Sequence, residues 1–293
     1  MSQLTVVNGQ WVNLEKPGGQ VFFVGGGTVA YKGIGPSDGN PGTSPAQPLS
    51  TLSGAQTACT SGRGDTVVVL PGTVTLTAIF TLSKDDVTLT GMVDSSAIKP
   101  SVIASTLASS TDVIDVTGAN CVIENLHFSA SGAANTARIN VGAAGATIRN
   151  NTFACGASDL ETITIPAAGL HTTISGNRFN VSANGPDAAI EIESAAAHFI
   201  TIADNVFHGM NATNQWDIGA VNSGVAHLSC LVTRNTNTFG AAIVFSAAAT
   251  GMISHNNMGY GTLGSMLDPG SCMCAENYEA DAIDQTARVF PVT

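Results

Sequence analysis

Two glutamates on one short alternating segment are the side chains best placed for chemistry in this sequence. Glu191 and Glu193 lie two residues apart in Ile190-Glu191-Ile192-Glu193, so a β-strand would present both on one face. Paired carboxylates can act as general acid and base on a glycosidic bond if their separation and pKa values suit the task. If the chain is an enzyme, we expect Glu191, Glu193 and Asp204 to be its catalytic residues. Further acids of the neighbouring segments are Asp159, Glu161, Asp187 and Asp217.

An acidic, solvated surface is the competing interpretation of these carboxylates. The region holds no Asp-Asp pair and no Asp-x-Asp triplet, and no Arg-x-x-x-Arg or His-Gly motif accompanies the acids. A chain without catalytic residues therefore accounts for the pattern as well.

Three histidines recur at a similar interval and form a second candidate site. His171, His198 and His227 each follow an isoleucine of an alternating segment by eight or nine residues. If those segments stack, the imidazoles would form a row that could bind a metal or respond to pH. Stacked repeats also produce rows of like residues by default, and metal ligands must converge rather than line up. No cofactor motif is found, and no cofactor is expected.

Two other patterns are expected to have no function. Arg63-Gly64-Asp65 spells a cell-adhesion tripeptide but stands at the start of an apolar strand, where a chance match is the simpler explanation. The six cysteines, Cys59, Cys121, Cys155, Cys230, Cys272 and Cys274, have no framework spacing and are predicted to be reduced and mostly buried.

The elements that would position these side chains come from a repeat. An Asn-x-Phe triplet recurs through the last two thirds of the chain, after 25 to 32 residues each time and with a softened last copy after 19. Repeats of this length cannot bury their own apolar face, so they must stack into a solenoid. The copies are Asn125-Leu126-His127-Phe128, Asn151-Thr152-Phe153, Asn177-Arg178-Phe179, Asn205-Val206-Phe207, Asn237-Thr238-Phe239 and Asn256-Asn257-Met258.

A second, independent register agrees with the first. Short alternating segments are centred on apolar residues 23 to 28 positions apart, namely Ile114, Ile139, Ile163, Ile190, Ile218, Ile243 and Met266. Alternation predicts strands, and the intervals are too short for crossover helices. We therefore predict an all-β right-handed parallel β-helix. Each triplet Asn is expected to take the left-handed conformation at a corner, and each Phe, including Phe239, to stack inside.

The chain divides into four parts on this interpretation. Residues 1–34 form an irregular N-terminal arm, 35–63 a loop with a short capping helix, 64–280 the β-helix, and 281–293 a C-terminal tail. Val21, Phe22, Phe23 and Val24 make an apolar segment followed by three glycines. We expect this segment to dock the protein on a neighbour; the alternative is that it caps the first coil within its own chain.

Composition excludes several classes of partner. The net charge is −11 with only ten Lys plus Arg, which argues against nucleic acid and anionic membranes. The N-terminus has neither a positive region nor an apolar core, so we expect synthesis in a cytoplasm without a signal peptide.

One stretch carries a family resemblance. Gly64-Asp65-Thr66-Val67-Val68-Val69-Leu70-Pro71-Gly72, together with Asp38-Gly39-Asn40 and Pro48-Leu49, resembles the opening of the pectate-lyase-like right-handed parallel β-helix family. Short members without a signal peptide resemble virion proteins of tailed phages, which implies a homotrimer, phage capsid or tail proteins as partners, and the virion surface as location. The resemblance concerns architecture far more than activity.

Three functions are compatible with these observations. The first, which the sequence favours, is a structural virion protein: a capsid decoration or head spike that aids attachment to the host. The second is a tailspike-type polysaccharide depolymerase, a lyase or glycosidase. The third is an adhesin that binds a host-surface glycan without turnover.

Overall fold

A computed structural model shows how the chain folds over most of its length. The residues that it describes are 4–7, 10–13, 15–16, 18–26, 35–92, 100–107, 111–129, 137–155, 161–181, 188–194, 197–208, 216–219, 229–237, 242–245, 249–261, 267–268, 270–281 and 287–290.

Each coil of the chain passes through three short strands before the next coil begins. One coil contains Val122–Glu124, His127–Phe128 and Ile139–Val141, and Thr147–Arg149 then starts the next. Every one of these strands pairs in parallel with the equivalent strand one coil away. The predicted parallel β-helix is thereby confirmed.

The strands of successive coils form three parallel sheets, described here in coil order. Sheet 1 consists of Val21–Val24, Thr66–Val69, Thr88–Gly91, Val122–Glu124, Thr147–Arg149, Thr173–Ser175, Thr201–Ala203, Cys230–Thr233, Gly251–Ser254 and Met273–Ala275. Sheet 2 consists of Gly72–Leu76, Ser101–Ser105, His127–Phe128, Thr152–Cys155, Arg178–Val181, Val206–His208, Thr236–Asn237, Asn257–Gly261, Asn277–Asp281 and a final antiparallel strand, Ala287–Phe290. Sheet 3 consists of Phe80–Leu82, Ile114–Val116, Ile139–Val141, Glu161–Ile165, Ala188–Ile192, Trp216–Gly219, Ala242–Val244 and Leu267–Asp268.

The core is made of columns of like side chains. The rings of Phe128, Phe153, Phe179 and Phe207 stack with centroids 4.8, 5.0 and 4.9 Å apart. The isoleucine column from Ile114 to Ile243 is in register as predicted. Its last member is Leu267 and not Met266, because Leu267 pairs with Ile243.

The fifth triplet of the sequence is out of phase with the others. Asn237, not Phe239, pairs with Phe207, so the triplet falls two residues too late and Asn235 takes the corner position. Phe239 itself lies outside the described residues. The Asn-x-Phe pattern identified the repeat correctly but not the register of this coil.

The corner between sheets 1 and 2 differs from the prediction by one residue. The left-handed residues there are Asn125, Asn150, Gly176, Asp204, Arg234, His255 and Glu276. From Asn150 onward, each of these left-handed residues is followed by a buried asparagine, the first of which is Asn151. The amide group of each such asparagine points along the axis of the solenoid. The turn thus needs its left-handed residue one step earlier, which frees the next side chain to stack.

The apolar segment at the N-terminus is an integral part of the β-helix. Val21–Val24 pairs in parallel with Thr66–Val69, and all four side chains are at most 4% exposed. Valine and phenylalanine suit a strand that is covered on both faces. The prediction that this segment docks on another protein is therefore wrong for the segment itself, since its own chain already buries it.

The remaining N-terminal elements surround this first strand. Leu4–Val7 and Gln10–Asn13 form an antiparallel hairpin, and Asn13 donates from Nδ2 to Thr66 Oγ1 at 3.0 Å. The helix Leu52–Ala58 is capped by Thr51, whose hydroxyl accepts from the Gly54 N–H, and it buries Leu52 and Ala55.

Candidate functional site

Sheet 3 presents a row of polar side chains on its outer face. Ile114 and Val116 point into the core, so Asp115 between them points outward. The same alternation holds in the following coils. Parallel pairing aligns the outward residues Thr81, Asp115, Asn140, Thr164 and Glu191.

Two aspartates and an asparagine form the densest part of this row. Asn140 Nδ2 donates to Asp112 Oδ2 at 3.1 Å and lies 3.3 Å from Asp115 Oδ1. Thr164 Oγ1 donates in turn to Asn140 Oδ1 at 3.4 Å. Burial raises the pKa of Asp112, and the neighbouring negative charge of Asp115 raises it further. Asp112 is therefore a carboxyl group with an increased tendency to keep its proton.

The geometry of this pair limits what it can do. Glycosidases place their two carboxyl groups about 5 Å apart or more, with the scissile bond between them. Asp112 and Asp115 share one amide donor and lie within hydrogen-bonding reach of each other. They are thus too close together to flank a sugar linkage.

The structure separates the acids that the sequence grouped together. Glu191 lies in the outward row of sheet 3 but is only 6% exposed, and Glu193 directly follows the same strand, its N–H bonded to Ile165 O at 3.0 Å. Asp204 lies instead at the corner between sheets 1 and 2, where it forms a two-pronged ion pair with Arg234 at 2.7 and 2.8 Å. The proposed combination of Glu191, Glu193 and Asp204 is therefore wrong, because Asp204 belongs to another face. Asp159 and Asp187 lie outside the described residues, and for Asp217 only the backbone is described.

Sequence reasoning missed Asp112 and Asp115, although a signal was present. Asp115 follows Ile114 just as Glu191 follows Ile190, so both fall at the outward position of equivalent strands. Asp112 stands in the turn before the strand, where alternation gives no direction for its side chain. Only the folded corner brings it beside Asp115.

The histidines do not form the predicted row. His171 stacks on Phe199, with ring centroids 4.7 Å apart and planes inclined by 4°, while His198 meets the edge of Phe199 at 6.3 Å. The corner before Phe199 contains one more residue than the preceding one, so His198 is displaced from the position of His171. His227 lies outside the described residues. Within the described ranges, no three His, Cys, Asp or Glu residues converge on a possible metal position.

The adhesion tripeptide and the cysteines have structural environments. Asp65 is fully buried and accepts two hydrogen bonds of 2.6 Å from Arg63, plus the backbone N–H groups of Gln20 and Thr60. All six cysteines are buried thiols, as predicted. Burial raises the pKa of Cys59 and Cys272 to about 12. In the part of the chain that the structure describes, no helix is both long and apolar enough to span a membrane.

Comparisons with known proteins concern the fold. The sequence matches no protein-family model and no curated protein. Among solved structures, pectate lyase Pel9A is 13% identical with a TM-score of 0.46, covering 91% of this chain and 78% of its own. Pectin methylesterase PemA from Erwinia chrysanthemi is 10% identical with a TM-score of 0.48, covering 88% and 89%. ORF18 of Geobacillus virus E2 is 13% identical with a TM-score of 0.42, covering 96% and 68%. At such identities these likenesses say nothing about activity.

Proposed function

We propose that this chain is a structural protein of a tailed-phage virion: a capsid decoration or head spike that binds host-surface glycan without cleaving it. The proposal includes a homotrimer, contacts with capsid or tail proteins, and a position on the virion surface. The virion setting rests on the resemblance of the sequence to short phage β-helix proteins. The non-catalytic role rests on the site itself.

The observation that carries the non-catalytic role is the close approach of Asp112 and Asp115, which also share Asn140 as a donor. The two carboxyl groups lie within hydrogen-bonding reach of each other, which is closer than an acid and a base on opposite sides of a sugar bond. The solvent-accessible part of the outward row of sheet 3, made of Thr81, Asp115 and Asn140, nevertheless repeats at the strand spacing of about 4.8 Å, which suits contact with an extended polymer.

A polysaccharide depolymerase is the second candidate, and the raised pKa of Asp112 favours it. A carboxyl group that keeps its proton can donate it to a leaving sugar oxygen. Asp112 would then be the general acid, and a base would have to come from elsewhere on sheet 3.

Two measurements test the proposal. Purified protein is incubated with polysaccharide from the host envelope, and new reducing ends and unsaturated ends are assayed for the wild type and for Asp112→Asn. We expect no cleavage by either protein; cleavage by the wild type that Asp112→Asn abolishes would establish the depolymerase. Mass spectrometry and cryo-electron microscopy of purified particles should find the chain as a surface trimer, and its absence from particles would refute the virion role.

A further inference from the structure

The corner between sheets 3 and 1 carries an exposed aromatic pair. His171 and Phe199 occupy the same position in successive coils, because Thr173 and Thr201 that follow them are paired. Their rings are nearly parallel at 4.7 Å, and Phe199 remains 51% exposed. His171 thus covers one face of the Phe199 ring, and about half of the Phe199 side chain is open to solvent.

The backbone of Phe199 is unusual for its residue type. Its φ is +59°, in the left-handed region, which is unfavourable for a residue with a bulky side chain. The equivalent residues of the preceding coils include Asp86, Asn120 and Gly145, types that tolerate this conformation. A half-exposed phenylalanine recovers little of the cost by burial. Strain kept at an exposed position indicates a function for the side chain.

Small residues border the aromatic pair on both sides. Gly145 precedes His171 in this column and Ser229 follows Phe199, and both take the same left-handed conformation. The Asn120 side chain already occupies the space beside Gly145, whereas coils about 4.8 Å apart leave room for roughly the thickness of one planar ring beside Ser229. Ser229 supplies an exposed hydroxyl group at the equivalent position of the next coil.

We propose that His171 and Phe199 form a binding platform for an uncharged pyranose ring of a glycan. The C–H groups on the apolar face of a sugar are weakly positive and match the negative face of an aromatic ring. The Ser229 hydroxyl would then bond a sugar hydroxyl. The net charge of −11 disfavours an acidic glycan, so the sugar is neutral. The inference rests on the proposed function and specifies the glycan class that the protein binds.

The variant Phe199→Asn distinguishes a binding role from a structural one. Asparagine tolerates the left-handed conformation, so removal of a functional phenylalanine should leave the melting temperature unchanged or raise it. Binding is measured on the full chain by saturation-transfer NMR with cellohexaose, maltohexaose and mannohexaose, and with hexagalacturonate as the charged comparison. We expect at least one neutral probe to bind the wild type, and Phe199→Asn to weaken that binding about tenfold or more.

Ile79→Asn is the matched control, because Ile79 is a 42% exposed apolar residue outside the platform. It should leave sugar binding unchanged. The platform is refuted if no neutral probe binds the wild type, if only hexagalacturonate binds, or if Phe199→Asn lowers the melting temperature as a core substitution would. A concentration-dependent assembly that Phe199→Asn abolishes, without sugar binding, would assign the surface to protein contact instead. Presence on the virion is a separate readout, so binding by a chain absent from particles would refute only the virion role.

Discussion

Asn177 and Asn205 are joined by two hydrogen bonds that converge on one oxygen. Oδ1 of Asn205 accepts from Nδ2 of Asn177 at 3.1 Å and from the backbone N–H of Asn177 at 3.0 Å. The second amide proton of Asn177 goes to Ile148 O at 2.9 Å. Every polar atom of this buried side chain is therefore paired. The same double link connects Asn151 to Asn177, Asn205 to Asn235, Asn235 to Asn256, and Asn256 to Asn277.

The first prediction concerns this asparagine ladder. Asn205→Ala removes the oxygen that accepts from the backbone N–H and the amide Nδ2 of Asn177, and it removes the amide protons donated to Ile174 O and to Oδ1 of Asn235. Each buried polar group that loses its partner costs about 1–3 kcal/mol, so we expect a loss of at least about 3 kcal/mol in the free energy of unfolding. Urea unfolding of the purified protein measures it. The matched control is Asn150→Gly, since exposed Asn150 is left-handed and Gly176 holds its place in the next coil. Similar losses in both variants would show that the ladder does not stabilise the fold.

The second prediction concerns the phenylalanine stack. Phe179 is fully buried, with neighbouring rings 5.0 and 4.9 Å away. Phe179→Ala should cost about 3–5 kcal/mol, the usual range for a large-to-small change in a core. Thermal melts compare it with Ile79→Ala, which alters an exposed side chain. If the melting temperature of Phe179→Ala changes no more than that of Ile79→Ala, the stacked rings do not stabilise the fold.

The third prediction separates the two interpretations of the N-terminal segment. Phe23 is fully buried in the first strand of sheet 1, and its backbone bonds Gly42 and Leu49. Phe23→Ala should therefore cost about 3–5 kcal/mol, as in the phenylalanine stack. Deletion of residues 2–27 should yield a chain that unfolds or aggregates. A truncated protein that stays folded and soluble but no longer joins particles would restore the docking role.

Periodicity predicted those parts of the fold that depend on neighbouring coils alone. The isoleucine column and four of the stacked rings follow from alternation and repeat length, because parallel strands in register must align like positions. The triplet that begins at Asn237 gave the wrong register for its coil, because Asn235, two residues earlier, is the asparagine that joins the ladder. Loops of variable length between strands shift the pattern without changing the stack.

The candidate sites were predicted less well because they depend on corners. Alternation assigns a face within a strand, so it placed Glu191 on sheet 3 but could not place Asp204, which follows a strand and turns to another side. The aromatic pair was missed for the same reason, since one added residue replaced His198 by Phe199 beside His171. Composition could not show that other parts of the same chain cover Val21–Val24.

The fourth prediction concerns the buried ion pair of Arg63 and Asp65. Burial alone would raise the pKa of Asp65, but hydrogen bonds from Arg63, Thr60 and Gln20 outweigh it, and the net pKa is lowered. Arg63→Ala leaves this carboxylate without its charged partner, and removal of one partner of a buried pair costs about 3–5 kcal/mol. Arg63 is itself 31% exposed, so we expect a value near the lower end. Urea unfolding measures the loss in the free energy of unfolding of Arg63→Ala. Arg234→Ala is the control, because Arg234 belongs to an exposed ion pair. Equal losses in the two variants would show that the burial of Asp65 adds nothing.

The fifth prediction concerns pH and the carboxyl pair on sheet 3. Burial and the charge of Asp115 raise the pKa of Asp112 in the folded protein above its unfolded value of about 4. Folding then favours the protonated form, so this stabilisation is complete below the unfolded pKa and is lost as pH rises through the folded pKa. Asp112→Asn replaces the titrating group by a neutral amide. Relative to the wild type, the variant should gain stability as the pH rises from about 4 through the folded pKa of Asp112.

Urea unfolding at several pH values across that window measures this gain. Asp204→Asn is the opposite control, because the hydrogen bond from Arg234 lowers the pKa of Asp204. The stabilisation from Asp204 is present above its unfolded pKa and is lost as the pH falls through its folded pKa. The stability that Asp204→Asn loses relative to the wild type should therefore become smaller at acid pH. If Asp112→Asn instead loses stability relative to the wild type as the pH rises toward neutral, Asp112 is held as an anion by Asn140. That result would remove the proton donor that the depolymerase requires, and it would leave the contact of both aspartates with Asn140 unchanged.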